Sequence, residues 1–89
     1  MIERELTVSN RLGLHARATA RLVQLLSDYD VNATLTAKGR EVNAKSIMGV
    51  MLLAAGTGTA VRLCVDGPDE VAAADAVCGL FERRFDEDS

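Results

Sequence analysis

Residues 2–26 read IERELTVSNRLGLHARATARLVQLL, and the change of period inside this stretch decides the fold. Up to Val8 the apolar residues Ile2, Leu6 and Val8 hold even positions while Glu3, Glu5 and Thr7 hold odd ones, the repeat of a half-buried strand. From Ala16 onward Thr19, Leu22, Val23 and Leu26 recur at helical spacing, which predicts a helix of about three turns. Its other side carries Arg17, Arg21, Gln24 and Asp28, leaving one face free to meet a partner. Ser9 to Gly13 forms the loop between them. At the junction lies GLHARAT, residues 13–19, with the only histidine of the chain, His15, and a fixed cation, Arg17, two residues later. The first turn of a helix leaves N–H groups without intrahelical acceptors, and these favour anions, so the junction suits a phosphoryl group. A histidine alone fills a helix terminus as readily as it performs chemistry, since only geometry makes it catalytic.

Beyond this stretch, Val31, Ala33, Leu35 and Ala37 alternate with Asn32, Thr34, Thr36 and Lys38 to give a second strand. Lys38 and Gly39 read as a tight turn, with Arg40 to Asn43 as the short returning strand. Ser46 precedes Ile47, Met48, Val50, Met51 and Leu52, a natural N-cap worth about 1 kcal/mol over alanine. Gly49 weakens that helix and Gly56 can end it, so a short helix is expected. Val61, Leu63 and Val65 alternate with Arg62, Cys64 and Asp66 in a fourth strand, after a turn at Gly56 to Thr59. Gly67, Pro68 and Asp69 open a last helix, with Asp69 and Glu70 in its first turn and Val71, Ala74, Cys78 and Phe81 as its buried stripe. Arg83 and Arg84 complement its C-terminal end, and Asp86 to Ser89 reads as a solvated acidic tail. The order βαββαβα predicts an α+β fold in which helices on one face of an antiparallel sheet bury both apolar sets in two layers.

Composition sets the limits. The 89 residues suit one domain, residues 1–89, with no repeat or linker. Hydrophobic residues make up 48%, yet the aromatics are only Tyr29, Phe81 and Phe85, so the core is built from aliphatic side chains and alanine. A net charge of −3 argues against a general nucleic-acid binder, whose footprint is a basic face. No apolar run reaches the ~20 residues of a membrane span, and MIERELTV lacks a signal-peptide core, so a soluble cytoplasmic protein without membrane insertion is expected. Cys64 and Cys78 fit neither a metal-ligand spacing nor a disulfide framework, so packed thiols, no metal and no cofactor are expected.

The segments NRLGLHARA, GREVNAKSIMGVM and LAAG, at these separations, carry a resemblance that covers essentially the whole chain. It resembles the HPr/NPr family of phosphocarriers in the bacterial phosphoenolpyruvate-dependent phosphotransferase system. The resemblance implies an open-faced β-sandwich, a four-stranded antiparallel sheet covered on one face by three helices, in agreement with the order above. It also implies a phosphoryl relay and not an enzyme: enzyme I, charged by phosphoenolpyruvate, loads the Nδ1 of His15, which hands the group to an enzyme IIA domain. A monomer is expected.

Physical chemistry supports those roles. A neutral imidazole attacks phosphorus directly, and a nearby helix N-terminus disfavours imidazolium. Arg17 is expected to screen the phosphoryl oxygens, with the amides of Ala16 and Arg17 as donors. Ser46 matches the family's regulatory serine, the target of HPr kinase/phosphorylase; a phosphate there adds about −1.5 to −2 charges at a helix start and acts by repelling partners. As an N-cap alone, Ser46 is already explained. By resemblance, Ile47, Met48 and Met51 form an exposed apolar patch beside the histidine, and together with Ala16, Arg17 and Ala20 are expected to dock partners, methionine suiting a surface that accepts several.

One position departs from the pattern: many family members read GLHARPA where this chain has Ala18 and Thr19. Ala18 keeps an N–H that proline lacks, which removes nothing the chemistry needs but opens the branch. A nitrogen-branch, NPr-like carrier that does not feed sugar uptake is the first alternative. A regulatory binding module in which His15 is never loaded is the second. A small hydrolase with His15 as general base is the weakest, because no serine or cysteine nucleophile with an orienting acid is evident.

Overall fold

Period-two alternation sorts side chains to two faces, and the computed structural model, which describes residues 1–87, shows what each face meets. In chain order the elements are β1 (Ile2–Thr7), α1 (Ala16–Ser27), β2 (Asn32–Ala37), β3 (Arg40–Asn43), α2 (Ile47–Leu52), β4 (Ala60–Asp66) and α3 (Glu70–Glu82). The sheet order is β1-β4-β2-β3 with every neighbouring pair antiparallel. It follows that β1 and β2 run parallel with β4 between them, while β3 and β4 run parallel with β2 between them. Each β-α-β unit leaves a gap that a strand of the other fills, so neither unit forms its sheet without the other.

On the inner face Ala33 opposes Val65, Leu35 opposes Leu63 and Leu6 opposes Val61. Over them lie Leu22 and Leu26 of α1, Val50 of α2, and Ala73, Ala74, Val77, Leu80 and Phe81 of α3, all buried. The outer face is polar, with Arg62 bonded across β1 to Glu5 at 3.0 Å and Thr34 opposite Cys64. This is the four-stranded antiparallel sheet with three helices on one face that the element order predicts.

Several expectations are corrected. The buried stripe of α3 runs through Ala73, Ala74, Val77, Leu80 and Phe81, whereas Val71 is 60% exposed and Cys78 only half-buried. The stripe is rotated because two alanines let α3 settle close to the sheet on their side, carrying Val71 to solvent. Asp69 is the N-cap of α3 but its carboxylate does not cap; it accepts the backbone N–H of Asp30 at 2.8 Å. The hairpin turn holds two left-handed residues, Lys38 (φ 54°) as well as Gly39 (φ 78°), the geometry that matches the twist of the strands it joins. Arg83 turns to Asp86 at 2.9 Å in place of the helix end.

Of the acidic tail expected from Asp86 onward, Asp86 is exposed, but Glu87 is half-buried and bonded to Asn10 and His15. Arg84, Phe85 and Asp86 are all left-handed, at φ 55°, 57° and 60°, each costing about 1–2 kcal/mol for a residue with a Cβ. What holds them is burial: Phe85 is fully buried with its ring centroid 4.8 Å from that of Phe81, and the Arg21 guanidinium donates to its carbonyl. Arg21 is therefore half-buried and committed to this turn, where the sequence reads it as part of a free face. Asp88 and Ser89, the rest of the expected tail, lie outside the described residues.

Gly13 fixes how the loop before α1 meets the loop after α2. It is left-handed (φ 69°), and a Cβ there would come within 2.5 Å of the Ala55 carbonyl oxygen and 2.7 Å of Gly56 Cα. The adjacent Leu14 N–H donates to that same carbonyl at 2.9 Å. Gly39 has a similar φ with nothing within 4 Å of its Cβ position. Gly39→Ala is thus expected to cost only backbone strain, roughly 1–2 kcal/mol, and Gly13→Ala distinctly more because backbone must move. Urea unfolding of the two variants checks this; equal losses would show that the Gly13 contact is not tight.

Candidate functional site

His15 is the N-cap of α1, with extended backbone (φ −76°, ψ −179°) and a carbonyl that accepts the Thr19 N–H at 2.9 Å. Thr19, fully buried, turns its hydroxyl to the Leu14 carbonyl at 3.2 Å and anchors the turn from below. The His15 side chain makes no capping bond. The first-turn amides of Ala16 and Arg17 consequently have no intrahelical acceptor and no side chain of their own N-cap to satisfy them. With its side chain 27% exposed, the imidazole is reachable yet held on one side.

What holds it is a carboxylate from the far end of the chain. His15 Nε2 lies 2.7 Å from Glu87 Oε2. The other carboxylate oxygen accepts a hydrogen bond from Asn10 Nδ2 at 3.0 Å, and the same amide donates to the Gly13 carbonyl at 2.8 Å. Both neighbours of that group are acceptors, so it must be the NH2 that faces them. Asn10 is fully buried, and its Oδ1 has no partner among the described residues. An asparagine with so little alternative bonding is a rigid bracket between the histidine loop and the strap of residues 83–87.

Arg17 is exposed, and none of the ion pairs among the described residues includes it, so its guanidinium is available at the helix start. Ser46 caps α2, its Oγ accepting the Gly49 N–H at 3.1 Å. α2 packs against α1, and its outward side chains Ile47, Met48 and Met51 are exposed, Met48 at 78%. Ala16 is exposed and Ala20 half-buried. Leu12 and Leu52 are exposed too. Among the described residues no group of histidine, cysteine and acidic side chains gathers as metal ligands.

The sequence singles out His15, Arg17 and Ser46 but misses Asn10 and Glu87. Asn10 carries no local signal, because a polar residue in a loop normally faces water. Glu87 is 72 residues from His15, and an acidic chain end reads as solvated. The one signal was Phe85, an aromatic side chain set in that charged end.

Residues 2–83 match the family model described as the PTS HPr component phosphorylation site. A phosphocarrier protein HPr of Xylella fastidiosa is 64% identical over 89 residues, covering 100% of both chains. A phosphocarrier protein NPr of Shewanella violacea is 40% identical over 88 residues, covering 99% of this chain and 97% of its own. Among solved structures, HPr-C-His from Thermoanaerobacter tengcongensis superposes with a TM-score of 0.96 at 38% identity and covers 100% of each chain.

The carboxylate bracket is sensitive to acid. Burial opposes the charge on Glu87, but the Asn10 amide and the His15 ring, helped by the Arg21 charge, hold its carboxyl below the ordinary glutamate value. Since the folded value is the lower one, the bracket's contribution is full above the ordinary value of 4.5 and is lost as pH falls through the lowered one. The Glu87 side-chain carboxyl carbon resonance is therefore expected to titrate with a midpoint below 4.5. A midpoint at or above 4.5 would contradict an ionised, doubly bonded Glu87.

Proposed function

Because the chain belongs to the HPr family of phosphocarrier proteins, we propose that His15 accepts a phosphoryl group from phosphorylated enzyme I and hands it to an enzyme IIA domain. The observation that carries this reading is the setting of His15: a partly exposed imidazole at the start of α1, beside first-turn amides and an Arg17 that no other described side chain engages. The amides and the guanidinium meet the phosphoryl oxygens, where charge builds during transfer. A helix terminus contributes about 0.3–1 kcal/mol to a nearby exposed charge. That assists loading without trapping the product, and a relay requires both, since deep stabilisation of the loaded state raises the barrier to onward transfer.

Ile47, Met48 and Met51, with Ala16, Arg17 and Ala20, form the docking surface for enzyme I and the IIA domain. Ser46 is the regulatory site for an HPr kinase/phosphorylase. Its Oγ already accepts a hydrogen bond at the head of α2, and a phosphate there also accepts, so the modification is tolerated locally. Its effect falls on partners, through a charge of about −1.5 to −2 placed next to the apolar docking residues. Greater identity to a protein named HPr, 64%, than to one named NPr, 40%, favours the HPr role over the nitrogen-branch role.

Incubation with enzyme I and labelled phosphoenolpyruvate tests the reading. Wild type is expected to gain an acid-labile label and His15→Ala, still folded, to gain none; an unlabelled wild type overturns phosphoryl carriage. In the same assay Ser46→Asp is expected to accept the group about tenfold more slowly, equivalent to about 1.4 kcal/mol of barrier. Ser46→Ala, which loses only the cap, keeps the wild-type rate and about 1 kcal/mol less stability.

A further inference from the structure

We propose that Glu87 is a positioning residue for phosphoryl transfer: it holds the His15 ring through Nε2–H and so presents the Nδ1 lone pair to the incoming group. The inference rests on His15 being the acceptor and assigns a role to a residue remote in sequence. An ionised carboxylate has only acceptors to offer, so at 2.7 Å the ring nitrogen facing it must be the donor. In the neutral ring the single proton is then on Nε2 and the lone pair is on Nδ1. A carboxylate that fixes the tautomer and orientation of a reacting imidazole is a general device, seen in hydrolase triads and behind metal-bound histidines.

Glu87 is held firmly enough to do this. Asn10, fully buried, fixes its second oxygen at 3.0 Å. Its backbone N–H donates to the Arg84 carbonyl at 3.1 Å, and Asp86 N–H to the Arg83 carbonyl at 3.0 Å. Phe85, two residues earlier, is fully buried, and Arg21 of α1 binds its carbonyl. Three successive left-handed residues with side chains persist only where the surroundings determine them, and here the outcome of that strain is to deliver one carboxylate to one imidazole.

The transfer step balances with Glu87 in this place. The Nδ1 lone pair forms the new N–P bond as the bond from phosphorus to the enzyme I donor atom breaks, its electron pair leaving with the donor. No proton leaves the ring: Nε2 keeps its hydrogen, and the positive charge that develops on the imidazole is met by the Glu87 carboxylate. Because Nε2 and Nδ1 sit on opposite sides of Cε1, the carboxylate at Nε2 balances the ring without covering the nitrogen that is attacked. When the group moves on, the same proton is still in place and the ring is ready to reload.

The test compares wild type with Glu87→Ala and the near-isosteric Glu87→Gln, each checked for an unchanged melting profile. Two measurements are made: phosphoryl transfer from enzyme I, resolved into kcat and KM for the carrier, and ring nitrogen NMR of the unloaded protein. In wild type the neutral His15 ring is expected to carry its proton on Nε2, protected from exchange with water. In Glu87→Ala that protection is lost and the proton spreads over both nitrogens. The kcat for loading falls roughly tenfold or more, as for other residues that orient a reactive histidine, with KM little changed. Glu87→Gln, which loses the charge, is slowed similarly. Wild-type or faster loading in Glu87→Ala overturns the proposal, as does slow loading of that variant with its Nε2 proton still protected. If enzyme I fails to load wild type, phosphoryl carriage itself fails, while the ring proton still reports whether Glu87 holds His15.

Discussion

At Gly13 the loop that carries the histidine and the loop that leaves α2 touch backbone to backbone, with room for a hydrogen atom and no more. A Cβ would come within 2.5 Å of the Ala55 carbonyl oxygen, the atom that accepts the Leu14 N–H at 2.9 Å. The contact ties the start of α1, with its exposed amides and Arg17, to α2, with its exposed methionines. The His15 loop and the exposed side chains of α2 are thereby held in a fixed relation to each other. The interleaved sheet makes this possible, because α1 and α2 belong to two β-α-β units whose strands fill each other's gaps.

The histidine has two unlike kinds of electrostatic neighbour. Along the chain it is followed by donors, the first-turn amides and the exposed Arg17, groups of the kind that suit the oxygens of a phosphoryl group. Against its ring is Glu87, whose carboxylate suits the positive ring that forms when a nitrogen binds phosphorus. None of these is a deep trap, since a helix end offers less than about 1 kcal/mol to an exposed charge. A carrier needs that moderation: the group has to be worth accepting and worth giving away.

What the sequence makes legible follows the range of the interactions. Strands and helices were readable because their signals lie within a few residues: Val61, Leu63 and Val65 against Arg62, Cys64 and Asp66, or Ser46 ahead of Ile47. His15 and Arg17 were readable as candidates for the same reason. The buried stripe of α3 was misplaced by a rotation, because Val71 outranks Ala73 in hydrophobicity while small size, which lets the helix approach the sheet, decides the packing. Asn10 and Glu87 were not readable at all. Their roles exist only when residues 72 apart or more meet, and the left-handed turn that brings them together has no glycine to announce it. Arg21 likewise takes its role from the Phe85 carbonyl, which no spacing within α1 foretells.

The central claim is that the fold presents one nitrogen of one histidine to the phosphoryl group. Long-range nitrogen–proton NMR of the protein loaded by enzyme I, selectively labelled at histidine, reads the attachment directly. Phosphorus on Nδ1 of His15, with the Nε2 proton still hydrogen-bonded to Glu87, is the result expected. Phosphorus on Nε2, the nitrogen the carboxylate covers, would contradict the account.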